Sequence, residues 1–314
     1  MNAINRMIRI SLAGFIAFSS LLMVVMPHKV LAFSGGTGTS SDPYQISTPA
    51  ELASLSSYLG AGNSSKYFEL ANDINLDVAP YNTGSGWTPI GNNSSQFNAN
   101  FDGNGHTISG LYINRPSSSR MGLFGYVTGN GVVKNVTLAN VNITGYEYTG
   151  GLIGYYNSTS TVENTYVSGT VTGGGSNGGI RGVIGWCHTS AGTIRHSTSS
   201  ADITGTTRTG GLVGYAYCPI EESASTGNVN TTSVVGWSGG LTGANVGGIL
   251  NSYATGDVIG PTGGSKFGGL VGGNFSTITN AYSTGPVTVP SGSNIGGLVG
   301  YSSGGSATNA FWDS

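Results

Sequence analysis

The chain has 314 residues, 55 of them glycine, and 8% of its residues carry a charge. Globular proteins typically have ~7% glycine and about 25% charged residues, while an apolar content of 38% is too high for a disordered chain. The formal net charge of −2 offers no attraction to a phosphate backbone, so we expect no nucleic-acid partner.

Residues 1–32 are predicted to be a secretory signal peptide. Arg6 and Arg9 precede an apolar run, and small or aliphatic residues lead to a cleavage point after Ala32. Three of the 11 basic residues and none of the 13 acidic ones lie in this segment, so the remainder has a formal charge of −5. No later stretch is long and apolar enough to span a bilayer. We therefore expect a secreted chain, free or held at the cell surface, rather than an integral membrane protein.

Residues 33–120 are predicted to form an N-terminal cap and the first coils of the fold. Thr48 suits the N-cap of a helix, Pro49 its first position, and Glu51 stands three residues after the cap. We therefore expect a short helix that ends near Leu59. Such a helix would cover the unpaired edge at the end of a stack of parallel strands.

The same region holds the candidates for chemistry, which are Asp73, Asp77, Asp102 and His106. Carboxylates on an outer strand face could bind calcium or serve acid–base catalysis on a polysaccharide. The alternative, which we favour, is a tight turn at residues 102–105 with His106 as a hydrogen-bonded turn residue. We predict no cofactor and no metal site.

Residues 121–314 form a tandem array. The pattern Gly-Gly-Leu-Val-Gly, or a close variant of it, recurs in steps of 28 to 31 residues. A second block that contains Asn, Ser or an aromatic residue follows each copy, and the last repeat is incomplete at Ser314, so we expect the array to continue. A constant spacing of this kind identifies a repeat architecture. The seven copies end at Gly125, Gly154, Gly185, Gly214, Gly243, Gly272 and Gly300.

Each copy predicts two or three short strands, because runs rich in Val, Ile, Thr and Tyr alternate with Gly, Asn and Ser. One copy alone could not bury its apolar face, whereas stacked copies share a continuous core. The sequence therefore predicts an all-β parallel solenoid with one coil per repeat, Leu and Val pointing inward, and glycine where the coil turns or neighbouring coils approach closely. Recurrent Asn is expected to stack its amides at a turn. A β-propeller blade would need ~40 residues or more.

Two cysteines fall at similar phases of adjacent copies. Cys187 lies two residues, and Cys218 four residues, after a motif glycine. Bridged cysteines have Cα atoms within ~7 Å of each other, and an exported chain meets an oxidising compartment. We therefore predict a disulfide between Cys187 and Cys218.

Aromatic residues recur just after or near the motif. Pointing outward, they would form a stripe suited to sugar rings or to a protein partner. Pointing inward, they would belong to the core, as most large aromatic side chains do. We expect Tyr155 and Tyr301, at turn positions, to point outward and bind ligand. The recurring residues are Tyr155, Tyr156, Trp186, Tyr215, Tyr217, Trp237 and Tyr301.

The glycine pattern resembles the GLUG motif of bacterial exported proteins, and the resemblance covers residues 34 to 314. It implies a right-handed parallel β-helix and a surface or adhesin-like protein. The motif also accompanies zinc peptidases that cleave immunoglobulin A, whose His-Glu-x-x-His helix is absent here. The segments that carry the resemblance are Gly150–Gly154, Gly210–Gly214, Gly268–Gly272 and Gly296–Gly300, with a lead-in at Asp42–Ile46, Trp87–Gly91 and Phe101–Ile108.

These observations predict an exported stalk or binding scaffold, adhesin-like, that binds an extracellular glycan or a host or cell-surface protein and catalyses no reaction. The alternative is a carbohydrate-active β-helix enzyme, a lyase or glycoside hydrolase, that uses the carboxylates of the first coils.

Overall fold

A computed structural model describes residues 33–175, 180–188 and 192–313. The predicted signal peptide, residues 1–32, lies outside the described residues. The described chain forms a β-solenoid of about eight turns with one short α-helix near its N-terminus, as the sequence predicts. The handedness of the coil and the domain boundary at residue 120 remain predictions.

The N-terminal helix begins where the capping signals place it. It spans Pro49–Ser54 and continues as a 3-10 turn, Leu55–Ser57, before a second 3-10 turn at Ala61–Asn63. The Thr48 hydroxyl accepts a hydrogen bond from the Glu51 amide at 3.2 Å, and the Glu51 carboxylate accepts one from the Thr48 amide at 3.0 Å, which satisfies two orphan donors. Leu52 and Leu55 are completely buried in the hydrophobic core.

The strands of the described chain form three sheets with parallel ladders. The seven-stranded sheet consists of Phe124–Gly129, Ile153–Ser158, Ile184–Cys187, Val213–Ala216, Thr242–Asn245, Val271–Asn274 and Val299–Ser302. The six-stranded sheet consists of Thr149–Gly150, Ile180–Arg181, Thr209–Gly210, Val235–Gly239, Ser265–Gly268 and Ser293–Gly296. The twenty-stranded sheet consists of Tyr44–Ile46, Tyr67–Leu70, Ile74–Asn75, Asn100–Asp102, Thr107–Ser109, Tyr112–Asn114, Val132–Gly145, Thr161–Gly173, Thr193–Arg195, Thr198–Ser199, Asp202–Gly205, Ile220–Glu221, Ala224–Ser225, Val229–Thr231, Ile249–Leu250, Tyr253–Ala254, Val258–Ile259, Thr277–Ser283, Val287–Thr288 and Ser306–Trp312.

One sequence repeat makes one coil. In the seven-stranded sheet, Ile153 pairs with Ile184 and that residue pairs with Val213, followed by Thr242 and Val271 in the next coils. Each partner stands one repeat further along the chain. The period in the sequence is therefore the number of residues in one complete coil of the solenoid.

The central Leu of the motif forms an inward ladder, as predicted. Packing one aliphatic side chain on its counterpart in the next coil gives a core that continues along the axis. The ladder residues, all with no exposed surface, include Leu123, Leu152, Val183, Leu212, Leu241 and Leu270.

Asparagine occupies one corner of the coil and stacks there. These residues have φ between 49° and 53°, a left-handed conformation that Asn tolerates better than most residues. The Asn164 amide donates to Asn135 at 3.0 Å, Asn280 donates to Asn251 at 3.1 Å, and Asn309 donates to Asn280 at 3.2 Å. In the two coils between these runs, His196 and Glu222 take the same corner, with 2.5 Å between Nε2 and Oε2.

The glycines of the motif serve close approach rather than turning. None of the described motif glycines is among the residues with positive φ, so the expectation of a left-handed turn fails for them. A Cβ at Gly154 would instead stand 2.6 Å from the carbonyl carbon of Arg120 in the preceding coil. Glycine is required there because backbone from the neighbouring coil occupies the space of a side chain.

Candidate binding face

The candidate carboxylates of the first coils do not share the same hydrogen-bond partners. His106 Nδ1 lies 3.3 Å from Asp73 Oδ1, which also accepts a hydrogen bond from the Thr107 amide at 2.9 Å. That amide hydrogen bond, with the help of His106, lowers the pKa of Asp73 below its ordinary value. Asp73 and His106 are therefore brought together, in the arrangement of a hydrogen-bonded turn.

Asp102 and Asp77 have other partners. Asp102 forms an ion pair with Lys134 at 3.1 Å and accepts from the Asn135 side chain at 2.8 Å. Asp77 accepts from the Asn82 side chain at 3.0 Å. Among the described residues, no hydrogen bond or ion pair links Asp102 or Asp77 to Asp73 or His106, so the four side chains do not form one hydrogen-bonded cluster. The described residues also contain no group of three or more His, Cys, Asp and Glu side chains placed to hold a metal ion.

The two cysteines lie on adjacent coils. Their Cα atoms are 5.9 Å apart, and the structure joins their sulfurs. Both side chains are completely buried. Cys187 pairs in register with Tyr156 on one side and Ala216 on the other, and these two side chains are also buried. The pair therefore lies beneath the seven-stranded sheet rather than on its surface.

Strand alternation sends neighbouring aromatic residues to opposite sides of the seven-stranded sheet. Tyr156 has no exposed surface and donates a hydrogen bond to the Ser160 carbonyl. Tyr155 and Trp186 are half-buried and point outward, as does Tyr215 one coil further on. Tyr301, in the last described coil, is half-buried as well. The predicted outward residues and most of the recurrent aromatics therefore share one outer face.

These rings touch one another along the whole sheet. Tyr126, Tyr155, Trp186 and Tyr215 are register partners on four consecutive strands. The rings of Trp186 and Tyr215 are stacked, with centroids 4.6 Å apart and an angle of 6° between their planes. Ring contacts of 4.6 to 6.5 Å between centroids continue without a break through all ten members of the set. We call this set the aromatic face: Tyr126, Tyr148, Tyr155, Trp186, His188, Tyr215, Tyr217, Trp237, Phe275 and Tyr301.

In the described part of the chain, three cations lie over the aromatic face: Arg120, Arg208 and Lys266. The guanidinium carbon of Arg120 is 5.3 to 5.7 Å from three ring centroids, and that of Arg208 is 5.2 to 5.8 Å from three others. The ammonium of Lys266 is 5.3 and 5.6 Å from two, within the range of cation–π attraction. The rings contacted are, in order, Tyr126, Tyr148 and Tyr155; Trp186, Tyr215 and Trp237; and Trp237 and Tyr301.

Two phenols of the aromatic face, those of Tyr155 and Tyr215, have a raised pKa and are neutral at physiological pH. Burial raises the pKa of Tyr155 to about 12, with further contributions from Tyr126 and Tyr148 and an opposing one from Arg120. Burial, followed by the hydrogen bond with Tyr217, also raises the pKa of Tyr215. The charge of the face at physiological pH therefore includes no contribution from these two phenols.

The cations and several rings of this face were not predicted as site residues. Arg120, Tyr148, Arg208 and Lys266 each stand two residues before the first motif glycine, at a corner where their φ lies between 47° and 67°. A column-by-column comparison of the copies at that phase would have identified them. No helix of the described residues is both long and apolar enough to cross a membrane.

Comparison with known proteins agrees with the repeat and the fold. The GLUG motif family matches residues 145–172. A protein of Evansella cellulosilytica, named as a candidate Gly-rich membrane protein, is 42% identical over 112 residues, which are 36% of this chain and 13% of that protein. Halomucin of Haloquadratum walsbyi is 34% identical over 205 residues, which are 57% of this chain and 2% of halomucin. The chain thus matches only a small part of the length of either relative.

Two solved structures resemble the solenoid. A candidate immunoglobulin A1 protease from Bacteroides ovatus superposes with a TM-score of 0.65 and 20% identity, over 88% of this chain and 87% of that one. A second structure, an IgA1 protease, gives a TM-score of 0.57 and 19% identity, over 83% of this chain and 21% of that one. At these identities the likeness concerns the fold.

Proposed function

Because this chain is a GLUG-motif β-helix repeat protein, we propose that it is a secreted or cell-surface scaffold that binds an extracellular polysaccharide along the aromatic face. The observation that carries the proposal is the unbroken series of half-buried rings from Tyr126 to Tyr301, which crosses all seven strands of one sheet. In this proposal the protein binds its ligand without chemical change.

Location outside the cell is supported by two observations. Residues 1–32 have the three-part pattern of a secretory signal. One relative of the repeats is named as a membrane protein. A repeat protein of this kind, built of stacked coils, suits a stalk or an extended binding surface.

A polysaccharide fits the geometry better than a protein partner does. Protein interfaces concentrate their binding energy in a central cluster of residues. Here the rings recur along the axis at the strand spacing of ~4.8 Å, so that six strand steps extend the face over about 29 Å. A ligand that is itself a repeating chain can meet such a surface at every coil, with the apolar faces of its sugar rings against the aromatic side chains.

The stacked pair Trp186 and Tyr215 provides the test. We expect the double variant Trp186→Ala/Tyr215→Ala to lose affinity for the bound polysaccharide by about thirtyfold, the effect of removing aromatic residues at the centre of a binding site. Affinity is measured by isothermal titration against a panel of soluble neutral and acidic polysaccharides, with the full exported protein.

A matched control exists on the twenty-stranded sheet. Tyr253 and Tyr282 are stacked in the same way, with centroids 4.9 Å apart and 3° between their planes. The variant Tyr253→Ala/Tyr282→Ala should bind as the wild type does. Equal loss of binding in both double variants, full binding in both, or a panel in which no polysaccharide binds the wild type would each overturn the proposal.

A further inference from the structure

We infer that the polymer bound along the aromatic face is an acidic polysaccharide, whose anionic groups meet Arg120, Arg208 and Lys266 while its sugar rings lie on the aromatic side chains. The inference rests on the proposed function and names the class of its ligand. It is carried by the different surroundings of Arg120 and Lys266 on the aromatic face and of Lys134 and Arg195 on the twenty-stranded sheet.

Cations of the twenty-stranded sheet have carboxylate partners within the protein. Lys134 pairs with Asp102 at 3.1 Å, and Arg195 pairs with Glu163 at 2.7 Å. The Arg195 hydrogen bond lowers the pKa of Glu163 below its ordinary value. The positive charges of this sheet are therefore already compensated by the chain itself.

Cations of the aromatic face are arranged differently. Within the described ranges, the side chains of Arg120 and Lys266 form no ion pair and no hydrogen bond, and their charged groups lie over aromatic rings. The Arg120 Nε atom is buried without a hydrogen-bond partner there. Cation–π contact leaves the terminal guanidinium nitrogens of Arg120 and the ammonium of Lys266 without an acceptor among the described residues, so these donors are available to an anion.

The three cations lie at backbone positions with positive φ, where a long side chain is unfavourable. Arg120, Arg208 and Lys266 have φ of 64°, 47° and 67°, in a left-handed region that costs a bulky side chain roughly 1–2 kcal/mol. Asn294 takes the same corner in the last described coil with φ 54°, so the fold accepts the residue that suits this conformation. Cations kept at this cost, where Asn would fit, are a reason to look for a function of their charge.

The spacing of the cations matches an extended ligand. Arg120 and Arg208 are three coils apart, and Arg208 and Lys266 are two coils apart. At ~4.8 Å per strand these intervals are about 14 Å and about 10 Å along the axis. One small anion could not meet all three, whereas a polymer with repeated acidic groups could.

Neutralising the cations while keeping the rings tests the inference. The variant Arg120→Asn/Lys266→Asn removes two positive charges and introduces the residue that already occupies this corner at Asn294. The control, Lys134→Gln/Arg195→Gln, removes two positive charges from the twenty-stranded sheet. The probes are dextran and dextran sulfate, which share one backbone, and polygalacturonate, which carries carboxylates.

We expect the wild type to bind an acidic probe at least about tenfold more tightly than dextran, as one charge-assisted contact would provide, and salt to reduce the difference. The Arg120→Asn/Lys266→Asn variant should lose this preference, and the control should keep it. A wild type that binds dextran as tightly as the acidic probes, or a preference that survives in Arg120→Asn/Lys266→Asn, overturns the inference. In either case, loss of dextran binding in Trp186→Ala/Tyr215→Ala would still support the proposed function, whereas a wild type that binds none of the probes or the panel contradicts both.

Discussion

Replacing Gly272 with alanine is expected to lower the free energy of unfolding by about 3 kcal/mol, at the upper end of the cost of overpacking a filled interior. A Cβ at this position would stand 2.3 Å from the Ser238 amide nitrogen, 2.6 Å from the Trp237 carbonyl carbon and 2.7 Å from the Gly243 carbonyl oxygen. All three are backbone atoms of the preceding coil, so a rotamer change cannot relieve the contact. Two coils would have to separate, which would weaken their parallel ladder.

The effect is measured as the shift in the urea midpoint of unfolding, followed by circular dichroism. Gly174 offers a matched control in the repeat region, because a Cβ there meets no atom within 4 Å and its φ is not in the left-handed range. Gly174→Ala should be as stable as the wild type or slightly more so, since alanine reduces the entropy of the unfolded chain. A Gly272→Ala protein with an unchanged midpoint would refute close approach as the reason for this motif glycine.

Removing the bond between Cys187 and Cys218 is expected to lower the free energy of unfolding by about 3 kcal/mol in the double variant Cys187→Ala/Cys218→Ala. The two residues are 31 positions apart, so the bond restricts a loop of one full coil in the unfolded chain. Because both side chains are completely buried, their truncation also leaves apolar space unfilled. The urea midpoint of the oxidised wild type, compared with that of the variant, gives the size of the effect.

The bond itself is checked by mass spectrometry of protein purified under oxidising conditions, denatured without reductant and alkylated. We expect no alkylation of Cys187 or Cys218 until a reductant is added, and reduction of the wild type should bring its midpoint close to that of the variant. Alkylation of both cysteines before reduction would contradict the prediction.

The period and the inward Leu ladder could be predicted from the sequence because, in a parallel solenoid, residues one repeat apart in the sequence lie next to each other on adjacent coils. Once Ile153 pairs with Ile184, Tyr155 lies beside Trp186 and Tyr156 beside Cys187, so a constant phase in the sequence becomes a column in the structure. The helix was predictable for a local reason: Thr48, Pro49 and Glu51 satisfy the first turn by themselves.

The aromatic face could be predicted only in part, because its formation depends on two things that the glycine motif does not specify. The first is strand phase, which turns Tyr155 outward and Tyr156 inward. The second is the corner with positive φ just before the six-stranded sheet, where Arg120 lies; its guanidinium carbon is 5.3 Å from the Tyr155 ring of the following coil. Aromatic composition suggested a stripe, but it could not indicate that cations would lie between the rings.

Hydroxyl-radical footprinting tests most directly whether the aromatic face binds the ligand. The purified protein is oxidised with and without a saturating acidic polysaccharide, and modification of each aromatic residue is measured by mass spectrometry. We predict protection of Tyr155, Trp186 and Tyr215 in the complex, with unchanged modification of Tyr253 and Tyr282. Protection confined to Tyr253 and Tyr282, or equal modification of all five residues with and without bound ligand, would contradict a binding site on this face.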